Sequence, residues 1–469
     1  MAEYEELKRQ LAELQRLVFG RKSERFIPTD EAQTSLFDPQ DDQSSNQEAD
    51  VVQTVSYQRE VKPKEKQKPV RALLPAHLPR EEEVIEPKGL EEGMKKIGEE
   101  VTEILEHIPG RLYVRRIVRP KYVKGKEDGV KIANLPSLPI PRGNAGPGLL
   151  AHIQVSKWVD HLPYYRQAQM FKREGVTLSK STFNSWFNAT SGLLEPLYDE
   201  LVRRTQSEDY LQADESPIKV QDKHKEGGIH LGYHWVYHAP KSKLAVFDYQ
   251  PSRSREGPRA FLKNFNGTLQ TDGYSAYDGF GNHGDITLLA CMAHVRRYFE
   301  KALDNDKNRA EHALTVIQSL YAIEREAKED PSIDLLAYRQ QQAVPILEEW
   351  KAWLDSQQSL LPKSSIGKAI NYTLSLWPRL VRYTEDETYH IDNNLIENTI
   401  RPLAIGRKNY LFAGSHDAAQ RAAMFYSFFA TCKLNDVNPY LWLKAVLKQI
   451  NPDTPISQYD TWLPSSWKV

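Results

Sequence analysis

Cysteine is almost missing from this chain. Only Cys291 and Cys432 occur in 469 residues, far apart in sequence. That excludes a disulfide framework and a Cys-rich zinc site, and it fits a reducing cytosol. Long apolar runs are missing too. None approaches the roughly 18 residues a membrane span needs, so no membrane partner is expected. A dominant charge is also absent: Lys plus Arg number 62 and Asp plus Glu 63, for a net charge of −1. This excludes a uniformly basic coat for nucleic acid but leaves room for local basic patches. The N-terminus is acidic and helical in pattern, unlike a secretory leader. The expectation is a soluble, cytoplasmic protein of about three domains.

What the chain does have is three acids in telling places. Asp214 lies in LQADESPIKV, Asp272 in LQTDGYSAY and Glu397 in DNNLIENTIRP. The first two end short strand-like runs, and the third follows an Asp-Asn-Asn helix start. A lone Asp in such a place is ordinarily a solvated loop or cap residue, so the case rests on all three together. Carboxylates so placed suit a site for two divalent ions, which activate an attacking oxygen and stabilise a leaving oxygen on phosphorus. Hard oxygen ligands favour Mg2+ or Mn2+ over zinc. Three converging carboxylates repel one another, and cations relieve that repulsion.

The surrounding pattern supplies a fold for them. Residues 206–304 read as three strands, helix, strand, helix, strand, helix, the order of a ribonuclease H-like α/β domain. That fold puts Asp214 and Asp272 on neighbouring strands. Glu397 then comes from a later helix capped by Asp392 or Asn393, with Arg401 one turn on and on the same face. Helical spacing fills 305–385, read as a helical insertion that shapes the groove beside the site, and the catalytic domain resumes at 386–412. A C-terminal helical region covers 413–469. Glu215 is expected on the opposite sheet face and not as a ligand. His294, in CMAHVRR, is a possible auxiliary group for a phosphate, or else a structural histidine. Arg296 and Arg297 face either DNA or solvent, and Cys291 belongs to the core. His416, Asp417 and Arg421 have no clear role in the sequence.

The N-terminal part reads as accessory modules in a multidomain α+β chain. Residues 1–26 form one helix with Leu7, Leu11, Leu14 and Val18 at coiled-coil spacing; an amphipathic helix docked on its own protein fits equally. Residues 27–80 are a polar, disordered linker. Residues 81–142 form a small β-rich unit whose strip RLYVRRIVRPKYV carries Arg115, Arg116 and Arg119, suited to a DNA backbone or to a solvated strand face. Residues 147–205 resemble helix, turn, helix. Gly175 supplies the turn, Ser179 caps the second helix, and Phe171, Val176, Leu178, Phe183 and Trp186 make the shared core. Lys180, Ser181, Thr182 and Asn184 then point outward, as in a recognition helix, though an ordinary helical hairpin has the same pattern.

Several segments together resemble the transposases of the insertion sequence 66 family, which are bacterial DDE transposases. They are FGRKSERF, GPGLLAHIQVSKWVDHLPYYRQ, LQADES, TDGYSAY, CMAHVRRYFEKAL and DNNLIENTIRPLAIGRKNYLFAGSHDAAQRAA, the last being the most specific. The resemblance implies a leucine-zipper-like N-terminus, a small zinc-binding unit, a helix-turn-helix and a ribonuclease H-like catalytic domain. It places the catalytic, metal-holding triad on Asp214, Asp272 and Glu397. Two departures matter. EPKGLEEGMKKIGEEV stands where the family has a Cys-rich zinc knuckle and holds no Cys, so no zinc is predicted there. Ala404 stands where many DDE enzymes carry Lys or Arg, which leaves Arg401, Arg407 and Lys408 as the phosphate contacts. The implied function is binding of double-stranded element ends, cleavage by metal-activated water, and joining of the freed 3′-hydroxyls to target DNA. The implied partners are a second protomer at least, and small companion proteins from the same element. In the cell the chain would sit on the nucleoid when bound. The alternatives are a ribonuclease H-like nuclease without strand transfer, or a transposase-derived DNA-binding regulator.

Overall fold

The computed structural model describes residues 138–467, apart from 142, 283–284, 358–359 and 452, and scattered positions between 110 and 132. The expected N-terminal helix, the linker and most of the β-rich unit, with Arg115, Arg116 and Arg119, lie outside the described residues. The chain divides into a unit of 36–130 and a unit of 1–35 with 131–469, and the elements below belong to the latter.

Five strands form one mixed sheet. They are β1 (Tyr210–Gln221), β2 (Ile229–Ala239), β3 (Leu244–Gln250), β4 (Gly267–Thr271) and β5 (Ile286–Ala290). Their spatial order is β3-β2-β1-β4-β5. β1, β2 and β3 pair antiparallel, while β4 and β5 run parallel to β1. The second half of β2, HWVYHA, is buried at every position, which is why it reads as a near-continuous apolar run rather than an alternating one. β1 outruns its parallel neighbour: β4 pairs only with Tyr210–Gln212. Beyond Gln212 that edge of β1 is left for other parts of the chain.

Before the sheet come α1 (Pro147–Trp158), α2 (Tyr164–Arg173) and α3 (Lys180–Gln206). Pro147 opens α1, where its missing N–H costs nothing. Gly175, at φ +82, makes the turn between α2 and α3. Ser179 Oγ accepts from the Thr182 amide at 3.1 Å and caps α3. Phe171, Phe183 and Trp186 are buried between the helices, but Val176 is 37% exposed and Leu178 only half-buried. The left-handed bend at Gly175 carries 176–178 across the surface, so Val176 is not the core residue its apolar side chain suggested. The far half of α3 lies on the sheet, with Tyr198 Oη donating to the Phe247 carbonyl at 2.7 Å.

After β3 comes α4 (Glu256–Phe261), and after β5 comes α5 (Met292–Ala302). α6 (Lys307–Glu329), α7 (Val344–Ser356) and α8 (Ser365–Leu380) bury their own core against α5, built from Phe299, Leu314, Ile317, Trp350 and Ile370. Arg339 is buried in this bundle. It pairs with Glu324 at 2.6 Å and donates to the carbonyls of Tyr383, Asp386 and Tyr389. A buried charge needs such partners, and here they fix the path by which the chain returns to the sheet. Beyond the bundle come α9 (Asn394–Tyr410), α10 (His416–Leu434), α11 (Pro439–Gln449) and α12 (Ile456–Trp462). α10 covers β3, where Ser427 and Thr431 hydroxyls accept from the Phe247 and Ala245 amides. No described helix is long and apolar enough to cross a membrane.

Candidate active site

Gln212 of β1 stands opposite Gln270 of β4 in a parallel pair. Two residues further along the chain come Asp214 and Asp272, which the shared register sets side by side; Asp272 lies just past the end of β4, but Asp214, expected at the end of its strand, sits inside β1, which runs on to Gln221. The sequence writes this as one word twice, LQAD and LQTD. The two glutamines also bind the segment that delivers the third acid. Gln270 Oε1 accepts from Gln212 Nε2 at 2.9 Å and from Tyr210 Oη at 2.6 Å. Gln270 Nε2 donates to the His390 carbonyl at 2.7 Å, and Gln212 Nε2 to the Asp392 carbonyl at 3.1 Å. Asn393 then donates Nδ2 to the Ala213 carbonyl at 3.2 Å, on the edge of β1 that β4 leaves open. α9 begins at the next residue, with Glu397 in its first turn. Of the two expected caps, Asp392 is the one that acts: its Oδ1 accepts from the Asn394 amide at 3.0 Å, while Tyr321 holds Oδ2 at 2.7 Å.

The acids sense one another. Burial pushes the Asp214 carboxyl well above the ordinary 3.8, and the charges of Glu215, Asp272 and Glu397 push it further. Glu397 is held by Arg297 at 2.6 Å, with His294 Nε2 at 3.9 Å from its other oxygen. Arg297 Nη1 donates to His294 Nε2 at 3.2 Å, which assigns the ring proton to Nδ1. Burial and the Arg297 charge lower the His294 pKa, so the ring is neutral. His294, the expected auxiliary residue, is thus at the site. Arg297 balances Glu397 with its side chain partly exposed, and Arg296 lies 3.5 Å from Glu300. Glu215 is nearer to the chemistry than its strand parity suggested. It is the largest charge acting on Asp214, it also feels Asp272, and Arg253 Nε holds it at 2.7 Å. Among the described residues, the acids are not gathered as tightly as metal ligands: the group of three whose ligand atoms all lie within 4.8 Å is Asp222, His230 and His416.

The bundle walls the site on the Asp272 side. Tyr372 of α8 donates to the Asp272 carbonyl, and Asp272 Oδ1 accepts from the Tyr274 amide at 2.9 Å. Gly273 between them has φ +85, and a Cβ there would meet Leu376 Cδ1 at 2.6 Å. Only glycine lets the loop take this turn against α8.

The expected DNA contacts divide. Lys180, Ser181 and Asn184 are exposed at the start of α3, while Thr182 is half-buried with its hydroxyl 2.8 Å from Ser179 Oγ. Arg401 and Lys408 are exposed on α9. Arg407 is half-buried, and its Nη1 donates to Ser216 Oγ at 2.9 Å and to the Pro217 carbonyl at 2.6 Å. It thereby fastens α9 to β1 beyond the residues that β4 pairs. A cleft of 280 Å3 lies beside Asn184, lined by Lys157, Trp158, Tyr410 and Arg421 among others. Burial there brings the Lys157 pKa down to about 7. Sequence reading missed this lysine, whose ammonium sits 3.8 Å from the centroid of the Tyr164 ring.

The sequence profile of the family described as "Transposase IS66 family" matches residues 142–421, a span that holds all three acids. The chain belongs to the IS66 family of transposases. Two further profiles match, "Transposase C of IS166 homeodomain" over 6–82 and "IS66 C-terminal element" over 427–465. The protein named uncharacterized protein y4jD, from Sinorhizobium fredii, is 32% identical over 495 residues, covering 99% of this chain and 95% of the relative. Uncharacterized protein y4hP, from the same organism, is 32% identical over 437 residues, covering 86% of this chain and 78% of the relative. In this IS66 transposase, then, the family span takes in α1 to α3, the sheet, the bundle, α9 and the start of α10.

Proposed function

We propose that this transposase cuts and rejoins DNA at a two-metal site on a ribonuclease H-like sheet, with Asp214, Asp272 and Glu397 as the ligands. The observation that carries the reading is the register that sets Asp214 of β1 beside the end of β4, with a helix fastened next to them. The donor set fits the ions: it is all carboxylate, and Asp214 sits among like charges that a cation would relieve. Two Mg2+ or Mn2+ ions would supply activation of the attacking oxygen and neutralisation of charge on phosphorus.

The chain's own residues do the rest. Asp214 and Asp272 present their oxygens from a rigid sheet. Glu397 must exchange Arg297 for the cation, which leaves the Arg297 guanidinium for a DNA phosphate. His294, neutral with its proton on Nδ1, offers Nε2 as an acceptor next to Glu397. Lys180, Ser181 and Asn184 on α3 read the element ends, and Arg401 and Lys408 hold backbone phosphates. Two ends require two such sites, hence at least two protomers on the DNA, helped by companion proteins of the same element. Asp214→Asn should abolish cleavage of end-bearing DNA and leave end binding intact; wild-type cleavage by that variant would end the assignment. Incubating pre-cut ends with target DNA separates strand transfer from simple hydrolysis, because only transfer yields joined product.

A further inference from the structure

We propose that Asp222, His230 and His416 form a separate cation site of the zinc type, which pins the start of α10 to the β1–β2 hairpin. One ligand atom from each lies within 4.8 Å of the others. The fold brings them together from three directions. Gly227 and Gly228, at φ +76 and +71, tighten the hairpin, and the Asp222 amide donates to the Gly228 carbonyl at 3.0 Å. This sets Asp222, just past β1, near His230, the second residue of β2. The LFAGS segment then adds itself to the end of β1. Ala413 bridges Val220, and the Gln221 amide donates to the Ala413 carbonyl at 2.8 Å. Ser415 caps α10 through the Ala418 amide, which makes His416 the first helical residue. Its Nε2 lies 3.5 Å from Asp222 Oδ2.

Each side chain also has its other polar atom already held. Tyr249 Oη bonds His416 Nδ1 at 2.6 Å, leaving Nε2. The Pro251 carbonyl bonds His230 Nε2 at 2.5 Å, leaving Nδ1. Asp222 Oδ1 accepts from the His224 amide at 2.9 Å, leaving Oδ2. Partners of this kind fix ring orientation and tautomer in metal sites. Two imidazoles and one carboxylate suit Zn2+ with a water in the fourth position, whereas Mg2+ prefers oxygen alone. All three residues are half-buried, so a fourth ligand can enter from solvent. The helix N-terminus opposes a cation, and the Asp222 carboxylate supplies the countercharge. The site shares no residue with the three acids and lies far along the chain from the Cys-free knuckle position, so its test is separate from theirs.

The test uses the full chain carrying Asp214→Asn and Asp272→Asn, which silences the acid site. After chelator treatment, Zn2+ is added and metal content is measured after gel filtration. Co2+ serves as a spectroscopic probe. The expected result is one Zn2+ per chain, a tetrahedral Co2+ absorption band, and a Tm raised by Zn2+. Adding Asp222→Asn or His416→Gln should weaken Zn2+ binding at least tenfold and remove the Tm rise. His230→Gln serves in place of either variant that fails to fold. Absence of stoichiometric Zn2+, or Zn2+ binding unchanged in the folded variants, overturns the proposal and leaves only a hydrogen-bonded ion pair.

Discussion

Asp214 and Glu397 meet the same crowding of charge in different ways. Asp214 holds its proton more tightly, because it is buried beside Glu215, Asp272 and Glu397. Glu397 takes a neighbouring cation, Arg297. In the proposed two-metal site Arg297 would therefore compete with the metal for one ligand and also repel the ion itself. Arg297→Gln should lower the Mg2+ concentration needed for half-maximal cleavage several-fold, while slowing turnover at saturating Mg2+ through loss of a phosphate contact. A Mg2+ titration of end cleavage reads both effects; a higher Mg2+ requirement would mean that Arg297 orients Glu397 for the ion instead. At this scale the words that carry the acids stood out in the sequence, Asp272 just past a strand and Glu397 in a helix start, while Asp214 lies inside β1 and not at the strand end expected for it. Arg297 did not stand out, since its partner lies 100 positions away and nothing local marks the pair. The contacts of Arg407 with Ser216 and Pro217 were hidden for the same reason, since those partners lie about 190 positions away.

The elements that aim these side chains are joined by polar contacts inside the sheet rather than by packing alone. Gln270 accepts from Tyr210 and Gln212 and donates to His390. Gln270→Leu would leave those buried groups short of partners and should cost roughly 3 kcal/mol of stability. It should also cut cleavage further than that loss explains, because the 390–393 segment positions Glu397. Chemical denaturation and single-turnover cleavage, measured on one preparation, check both halves. Gly273→Ala tests the opposite wall. The positive φ and the approach of Leu376 predict a loss of about 2 kcal/mol, with cleavage impaired and end binding by α2 and α3 kept. The five strands were readable from β-branched and aromatic runs between turn residues, and the α2–α3 turn from Gly175 and Ser179. The glutamine contacts were hidden because a polar residue in a strand ordinarily signals a solvated face. Only the repeat of Leu-Gln before each Asp hinted otherwise.

Across the whole molecule, stability should fall in acid for a reason that lies in β2. Burial holds His234 down to about 3, with a smaller push from Arg407, and holds His238 down to about 4. Below the ordinary value of 6.5 the unfolded chain takes up protons that these rings refuse in the fold. Each then destabilises the protein as pH falls from 6.5, by about 2 kcal/mol at pH 5. Asp248, raised by burial to about 6, works in the opposite direction between 6 and 3.8 and offsets part of this. His234→Phe should therefore lose about 2 kcal/mol less than the parent between pH 7 and pH 5 in urea unfolding; an equal loss would contradict a neutral His234. The order of the five strands from 206 onward was legible, because periodicity and turn chemistry are local, but the helix expected between β4 and β5 is only two short 3-10 turns, Ser275–Tyr277 and Phe280–Asn282. The clasp of Arg339 and the fastening of β1 by Arg407 and Ala413 were not legible, because they depend on where distant segments meet. The account depends on Asp214, Asp272 and Glu397 forming one cation site, and anomalous diffraction from Mn2+-soaked crystals of the protein on pre-cut end DNA tests that most directly. The account predicts Mn2+ peaks coordinated by all three carboxylates, with Arg297 released from Glu397. Mn2+ bound elsewhere, with Glu397 still paired to Arg297 in that complex, would contradict it.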